Sequence, residues 1–473
     1  MTRALRALGA LAIAGAAWPA AAVAHGVQGR AETPIPISAF FWVGAVVLVI
    51  SFIGLGIGWS QSKFTTIPWR PVAPGFERVV SSRVVVCAGR ALVLGAFALL
   101  FAAAAFGSTR LNSNIAPVAI FVCWWVGLVP FKVLFGNVWD QINPWLTMAR
   151  LLRLHDETKR ELPGWVGWWP AALLLIGWAW IELVYPTTAR PRLIAGWMAA
   201  YTLLTLAGMW RYGVRRWLDN GEMFSVYTSV LATMSPWEHR EIDGRRRLGL
   251  RPPIVGVTSL DERPAQVAFI GALVATVSFD GLSGSDFWAR RDVTAAERLI
   301  DLGIEGFTAG IIVATIGLLV TLTVVIGAYQ AAAWLSAHIG RFPDVGAAGS
   351  AFIHTLVPIA LAYFVAHYFT LFVFSGQDIV RLISDPFGSG ADIFGTAEFR
   401  IDFQAVSPNA IWAVQVGAIV IGHVIGLALA HDRAVELSPT HRLAVASQGP
   451  MLVLMVALTV LGLWSLSEGM ARI

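Results

Sequence analysis

Long apolar runs follow one another along the whole chain, and this constrains its fold more than any other feature. Stretches near residues 38–58, 84–107, 115–135, 165–185, 192–212, 265–282, 304–335, 351–374, 409–430 and 447–466 are each apolar over about the length that crosses a bilayer as a helix. Only helices and closed barrels satisfy their own backbone in hydrocarbon, and runs this long without strict alternation select the helix. The expected fold is all-α: a polytopic membrane bundle of about ten transmembrane helices, with the lipid bilayer as its first partner. Composition agrees, because 13% of residues are charged and 57% hydrophobic, against roughly 25% charged in a soluble domain. The run at 265–282 is short and ends in "SFDGLSG", so spanning and re-entrant readings both stay open.

Residues 1–24 have a different layout. Arg3 and Arg6 precede about eleven small apolar residues, then Pro19 and the triplet Ala22-Val23-Ala24, the pattern of a secretory signal peptide. The expected organisation is a signal peptide, 1–24, and one transmembrane domain, 25–473, with His25 as the first mature residue. With that end outside, the segments 59–83, 136–164, 211–264, 336–350 and 431–446 hold 20 Lys or Arg, against 10 in the other segments after Ala24. The positive-inside rule then expects a multi-pass protein of the bacterial cytoplasmic (inner) membrane, mature N-terminus outside. The net charge of +5 calls for no nucleic acid, since anionic lipid accounts for clusters such as "HREIDGRRRLGLR", His239 to Arg251. None of these patterns encodes the oligomeric state.

The inner segments carry a weak internal echo, "GNVWDQINPW" (Gly136 to Trp145) and "GEMFSVYTSVLATMSPW" (Gly221 to Trp237). Asn143 and Ser235 each precede a proline and are placed to cap a helix, so both segments read as helices lying at the inner interface. Trp139, Trp145, Trp165, Trp168 and Trp169 read as headgroup anchors. Cys87 and Cys123 are the only cysteines; they read as inert core residues. The outer segment 375–408 exceeds the roughly 12–15 residues of an ordinary connection and reads as a lid or binding loop.

Ionisable groups at membrane depth cost at least ~2.5 kcal/mol on insertion scales, so each is a candidate. In the eighth run, "AFIHTLVPIALAYFVAHYFTLFVFSGQD", His354 lies near the inner end, where Pro358 withholds a donor from its carbonyl and favours a kink with a polar pocket. Tyr363, His367, Thr370 and then Gln377 or Asp378 follow helical spacing and form one stripe rising to the outer surface. His423, in "GHVIG", is expected at a depth similar to His354, which permits a shared inner site. His431 is read as solvated. Of the outer carboxylates Glu182, Asp280, Asp286, Asp301, Glu305, Asp378, Asp385 and Asp392, Asp280 stands out, because an apolar run delivers it directly into a Gly/Ser turn. A second reading makes each of these an ordinary core or turn residue held by hydrogen bonds.

His25, His367 and Asp280, all on the outer side, form the candidate divalent metal site; imidazole and carboxylate suit zinc, iron, manganese or oxidised copper. Haem is not the expected cofactor, since His354 and His423 meet only the minimum condition of two histidines on separate helices. The landmarks "AHG", "GNVWDQINPW", "SFDGLSG", "VAHYFTLFVFSGQ" and "LISDPFG", in this order among the apolar runs, resemble the bacterial membrane protein family of fenitrothion hydrolases. The resemblance implies hydrolysis of the aryl ester bond of organophosphate triesters and carries over no catalytic residues; the residues of this chain themselves make Asp280 and His367 the candidates for a metal-assisted attack by water. From the residues alone, a membrane transporter or metal-handling protein using its intramembrane histidines, with an ion as cargo, stands beside the hydrolase acting on a small lipophilic substrate. N-terminal sequencing of protein purified from membranes should read His-Gly-Val; a sequence beginning at Met1 would remove both the cleavage and the amine ligand.

Overall fold

The computed structural model describes residues 37–156, 161–260 and 263–471; His25 and the expected cleavage site lie outside them. Among the described residues, eight helices are long and apolar enough to cross a membrane, which makes the chain an all-α, multi-pass membrane bundle. In chain order the principal helices are α1 (Ile37–Gly58), α2 (Arg83–Phe106), α3 (Ile115–Phe135), α4 (Trp139–Ile142), α5 (Pro144–Leu151), α6 (Trp169–Leu183), α7 (Pro191–Tyr212), α8 (Val214–Asn220), α9 (Met223–Ala232), α10 (Pro264–Ser283), α11 (Asp286–Asp301), α12 (Gly306–Gly340), α13 (Ala348–Leu382), α14 (Pro408–Leu437) and α15 (Gly449–Ala471). Helices α5, α7, α10 and α14 open on a proline, whose missing N–H is not needed in a first turn.

Helix α10 is the axis of the bundle. It packs against α6, α12, α13 and α15 and is buried along nearly all its length. The open question at 265–282 is answered by a continuous helix of 20 residues, about 30 Å at 1.5 Å per residue. It also runs through "SFDGLSG" as far as Ser283, so Asp280 sits in its last turn and not in a Gly/Ser turn. Small residues let its neighbours approach: a Cβ at Gly271 would lie 2.8 Å from Ile326, and one at Gly281 2.8 Å from Ser465.

One end of the bundle carries a three-stranded antiparallel sheet of β1 (Arg70–Pro71), β2 (Trp237–Ile242) and β3 (Arg245–Leu250), in the order β1-β3-β2. The arginine cluster is thus a hairpin, turned by Asp243 and Gly244 at φ 52° and 69°, the positive-φ pair that a two-residue type I′ turn requires. No helix follows Ser235; its hydroxyl accepts from the Trp237 N–H at 3.2 Å and the strand starts there.

The two echoing segments do not lie at an interface; both dip into the bundle from the sheet end. After α7, the chain reverses at Gly213, φ 98°, and α8 climbs back along α7, with Trp217 stacked on Tyr212 at 5.8 Å and filling the space over Gly208. At the apex Glu222 meets Tyr201, near the middle of α7. Helix α9 then returns towards the sheet, Tyr227 stacking on Trp125 and Ser235 reaching Gly136. The segment 136–151 repeats this path: Trp139 packs on Trp124 at 4.5 Å, Asn143 turns the chain, and α5 descends until the His155 carbonyl meets the Val214 N–H.

The two apices touch. Asn143 accepts from the N–H groups of Trp145 and Leu146, and Glu222 from those of Phe224 and Ser225, so each caps its own half-helix. The Asn143 amide also donates to the Ser225 hydroxyl at 3.0 Å and to Glu222 at 3.4 Å. Two positive helix ends and the Tyr201 hydroxyl therefore surround one carboxylate that is fully buried.

Other expectations are also corrected. Trp139 and Trp145 are 2% and 4% exposed, core residues and not anchors, whereas Trp165 is 80% exposed. His431 is buried, bridging Gln448 and the Trp59 carbonyl, and its neighbour Asp432 accepts from the backbone of Lys63 and Phe64. Cys87 is exposed on α2 and so is not in the core. Helix α13 continues to Leu382, shortening the irregular segment expected at 375–408. Pro358 falls in the first turn of the α-helical stretch Leu356–Thr370, after a 3-10 turn at Ile353–Thr355, so the break precedes it.

Removing the shared cap should be costly, because it leaves several buried donors without an acceptor. Glu222→Ala is expected to destabilise the folded protein by about 2–5 kcal/mol, read as a lower thermal unfolding midpoint in detergent. An unchanged midpoint would show that the apices are held by packing alone.

Candidate functional site

Two of the candidate residues meet near the end of the bundle opposite the sheet. Asp280, in the last turn of α10, and His367, on α13, approach to 2.8 Å between carboxylate Oδ2 and ring Nε2, with side chains 5% and 14% exposed. The next residue, Tyr368, donates its hydroxyl to the same Oδ2 at 2.7 Å. Helical geometry explains the pairing: neighbouring residues lie 100° apart, so His367 and Tyr368 flank one line of α13, and α10 runs along that line.

Around this group lie further polar side chains. Glu182, in the last turn of α6, is half-buried and near enough to Asp280 for their charges to interact. It is therefore no ordinary solvated headgroup residue. Tyr227, on the re-entrant α9, lies within the same range of Glu182 and Tyr368. An aromatic wall closes the inner side: Trp125 packs on Tyr227 at 5.1 Å, on Phe364 at 5.8 Å and on Trp178 at 5.4 Å. The chain turns wider than an α-helix at Leu371–Ser375, just beyond Tyr368, and at Val118–Trp124 on the facing α3. Such π turns cost hydrogen-bond geometry and are frequent at functional sites.

The remaining candidates lie elsewhere. Tyr363 donates to the Leu458 carbonyl on α15 and packs against His423, ring to ring 5.8 Å. His354 engages the backbone of Ala351 and Leu429. It is therefore level with Leu429, six residues along α14 from His423 and about 9 Å from it in depth. The two histidines do not share a level, and the shared inner site is not formed. Gly422 and Gly426 do what small-xxx-small spacing predicts: a Cβ at either would fall within 3 Å of α13 atoms.

Asp378 is paired with Arg381 at 2.8 Å. Asp385 accepts from the N–H groups of Ser389 and Gly390 and so fastens the loop after α13. Burial works to raise the Asp385 carboxyl, but these backbone donors outweigh it and hold it below the ordinary carboxylate range.

A carboxylate, an imidazole and a phenol on one oxygen can accept, hold and pass on a proton. As a metal site the set is incomplete: among the described residues no three of His, Cys, Asp and Glu stand close enough to hold an ion. Asp280 and His367 are two of the three ligands expected, and His25 lies outside the described residues. Sequence reasoning missed Tyr368, Tyr227 and Glu222. Only Tyr368 carried a local signal, its adjacency to His367. No family model, curated protein or solved structure matches the chain.

Proposed function

We propose that the chain is a membrane-embedded hydrolase that cleaves the aryl ester bond of small lipophilic organophosphate triesters, using Asp280 and His367 as its proton-transfer pair. The observation that carries this reading is the Asp280–His367 contact at 2.8 Å, with Tyr368 on the same carboxylate oxygen, inside an apolar bundle. The resemblance of "SFDGLSG" and "VAHYFTLFVFSGQ" to fenitrothion hydrolases supports it, because those two stretches contribute Asp280, His367 and Tyr368.

In this reaction His367 takes a proton from water as its oxygen bonds to phosphorus. The aryloxide leaves with the P–O bonding electrons, and the proton passes to it or to solvent. Asp280 orients the ring and stabilises its protonated form. Tyr368 holds the carboxylate in place. A nitrophenoxide leaves without acid assistance, so the demand on the protein is one base and one oriented water. An open catalytic zinc site takes three protein ligands; Asp280 and His367 would supply two of them and His25 the third, and a metal held there would activate the attacking water.

The arginine-rich sheet end is assigned to the cytoplasmic side of a bacterial inner membrane, and the Asp280 end, with the mature N-terminus, to the outside. A second reading, an ion or metal transporter, is favoured by one specific observation. Paired half-helices with their N-termini meeting inside the bundle are a construction that transporters use for binding sites.

Purified protein should release nitrophenol from such a triester, assayed with and without chelator. Asp280→Asn and His367→Gln should each lower kcat by about 10²–10⁴-fold, the usual contribution of a positioned base, while His354→Ala leaves it within about threefold. Full activity in folded Asp280→Asn and His367→Gln proteins would contradict the assignment. Loss of activity with chelator would assign a metal to the site, and absence of hydrolysis with His367-dependent ion uptake in vesicles would select the transporter.

A further inference from the structure

A polar cluster holds the chain where it leaves α1. His431, on α14, is fully buried; its Nδ1 faces Gln448 Oε1 at 3.0 Å and its Nε2 faces the Trp59 carbonyl at 2.8 Å. The Gln448 amide is fixed in this orientation, because its Nε2 donates to the Ala444 carbonyl at 2.8 Å and a reversed amide would set two oxygens against each other. Both ring nitrogens of His431 therefore face oxygen acceptors. A neutral imidazole has a single N–H, so one of the two contacts would press a lone pair against an oxygen in a buried site. The geometry is that of an imidazolium donating twice.

The surroundings complement that charge. Asp432, the next residue, accepts from the Trp59 indole at 3.0 Å, the Ser62 hydroxyl at 2.8 Å and the N–H groups of Lys63 and Phe64 at 2.6 and 3.2 Å, a donor set that suits a carboxylate. His441, on the short helix His441–Ser447, meets His431 ring to ring at 6.2 Å. Its Nε2 donates to the Gly56 carbonyl at 2.9 Å and its buried Nδ1 has no partner among the described residues, which is the pattern of a neutral ring. The Gly56 and Trp59 carbonyls lie at the C-terminal end of α1, the negative pole of its dipole. Lys63 keeps its charge over the Trp59 ring at 4.1 Å, Arg433 engages Glu436, and His354 on α13 lies within range of the Asp432 charge.

We propose that His431 is the pin of a pH-sensitive latch: as an imidazolium it fastens the Trp59–Phe64 segment and the end of α1 to α14, and as a neutral ring it lets them go. The direction follows from the proton count. The closed latch holds one proton more than the open one, so acid favours closure and rising pH favours opening. Opening is confined to this segment, because α1 still packs along α14 and α15. The proposal does not depend on the hydrolase reading, since it involves neither Asp280 nor His367.

The test is amide hydrogen exchange of the full chain in detergent, read at Lys63 and Phe64 as protection relative to the unstructured rate at each pH, from about pH 5.5 to about pH 9. Protection should fall about tenfold as the pH rises, the worth of one hydrogen bond. His431→Gln, neutral at every pH, should show the lower protection without a step, whereas His441→Gln should keep the step. In ¹⁵N NMR of histidine-labelled protein, the signal lost in His431→Gln should carry protons on both ring nitrogens at the acid end and on one at the alkaline end. The proposal fails if protection does not change with pH, if the step survives in His431→Gln, or if the His431 ring carries a single proton while the segment is protected.

Discussion

A carboxylate inside an apolar bundle must find its donors within the protein, and this chain meets that requirement in two ways. Glu222 receives fixed donors: two backbone N–H groups at 2.9 and 2.7 Å, the Asn143 amide and the Tyr201 hydroxyl. Backbone amides at a helix start do not titrate and cannot turn away, so the half-helices are tied to the carboxylate. Asp280 instead carries two titratable side chains on one oxygen, His367 and Tyr368. The first arrangement is suited to holding a structure together and the second to moving protons.

The two carboxylates are joined by aromatic packing rather than by further charge. Phe224, which follows the Glu222 cap, stacks on Trp145 at 5.8 Å and meets Trp178 at 5.7 Å, and Trp178 meets Trp125, which lies on Tyr227. Rigid rings lose little entropy on packing and keep water from the low-dielectric space between the sites. In this arrangement α9 serves both: its N-terminus is capped by Glu222, and its Tyr227 faces the Asp280 group.

The spanning helices were legible because lipid enforces one pattern, long apolar runs, on any helix that crosses it. The re-entrant segments were not, because a half-length buried helix and an interfacial helix share capping residues and tryptophans. Asn143 was recognised as a cap, but nothing local to "GNVWDQINPW" tells which way the helix points; the answer lies in Tyr201 and Glu222, far along the chain. Asp280 and His367 stood out as ionisable residues in apolar runs. That they meet, and that Tyr368 joins them, depends on the close approach of α10 and α13. His431 misled for a related reason: its burial comes from Trp59 and Gln448, partners at the ends of other helices.

The contrast between the two carboxylates is open to direct measurement by infrared difference spectroscopy of the purified protein across about pH 5–8, where an imidazole changes charge. The carboxyl band assigned by Asp280→Asn should change across this range and lose that change in His367→Gln, while the band assigned by Glu222→Gln is the same with and without His367. An Asp280 band that stays constant, or that changes in the same way without His367, would contradict the division of labour between them.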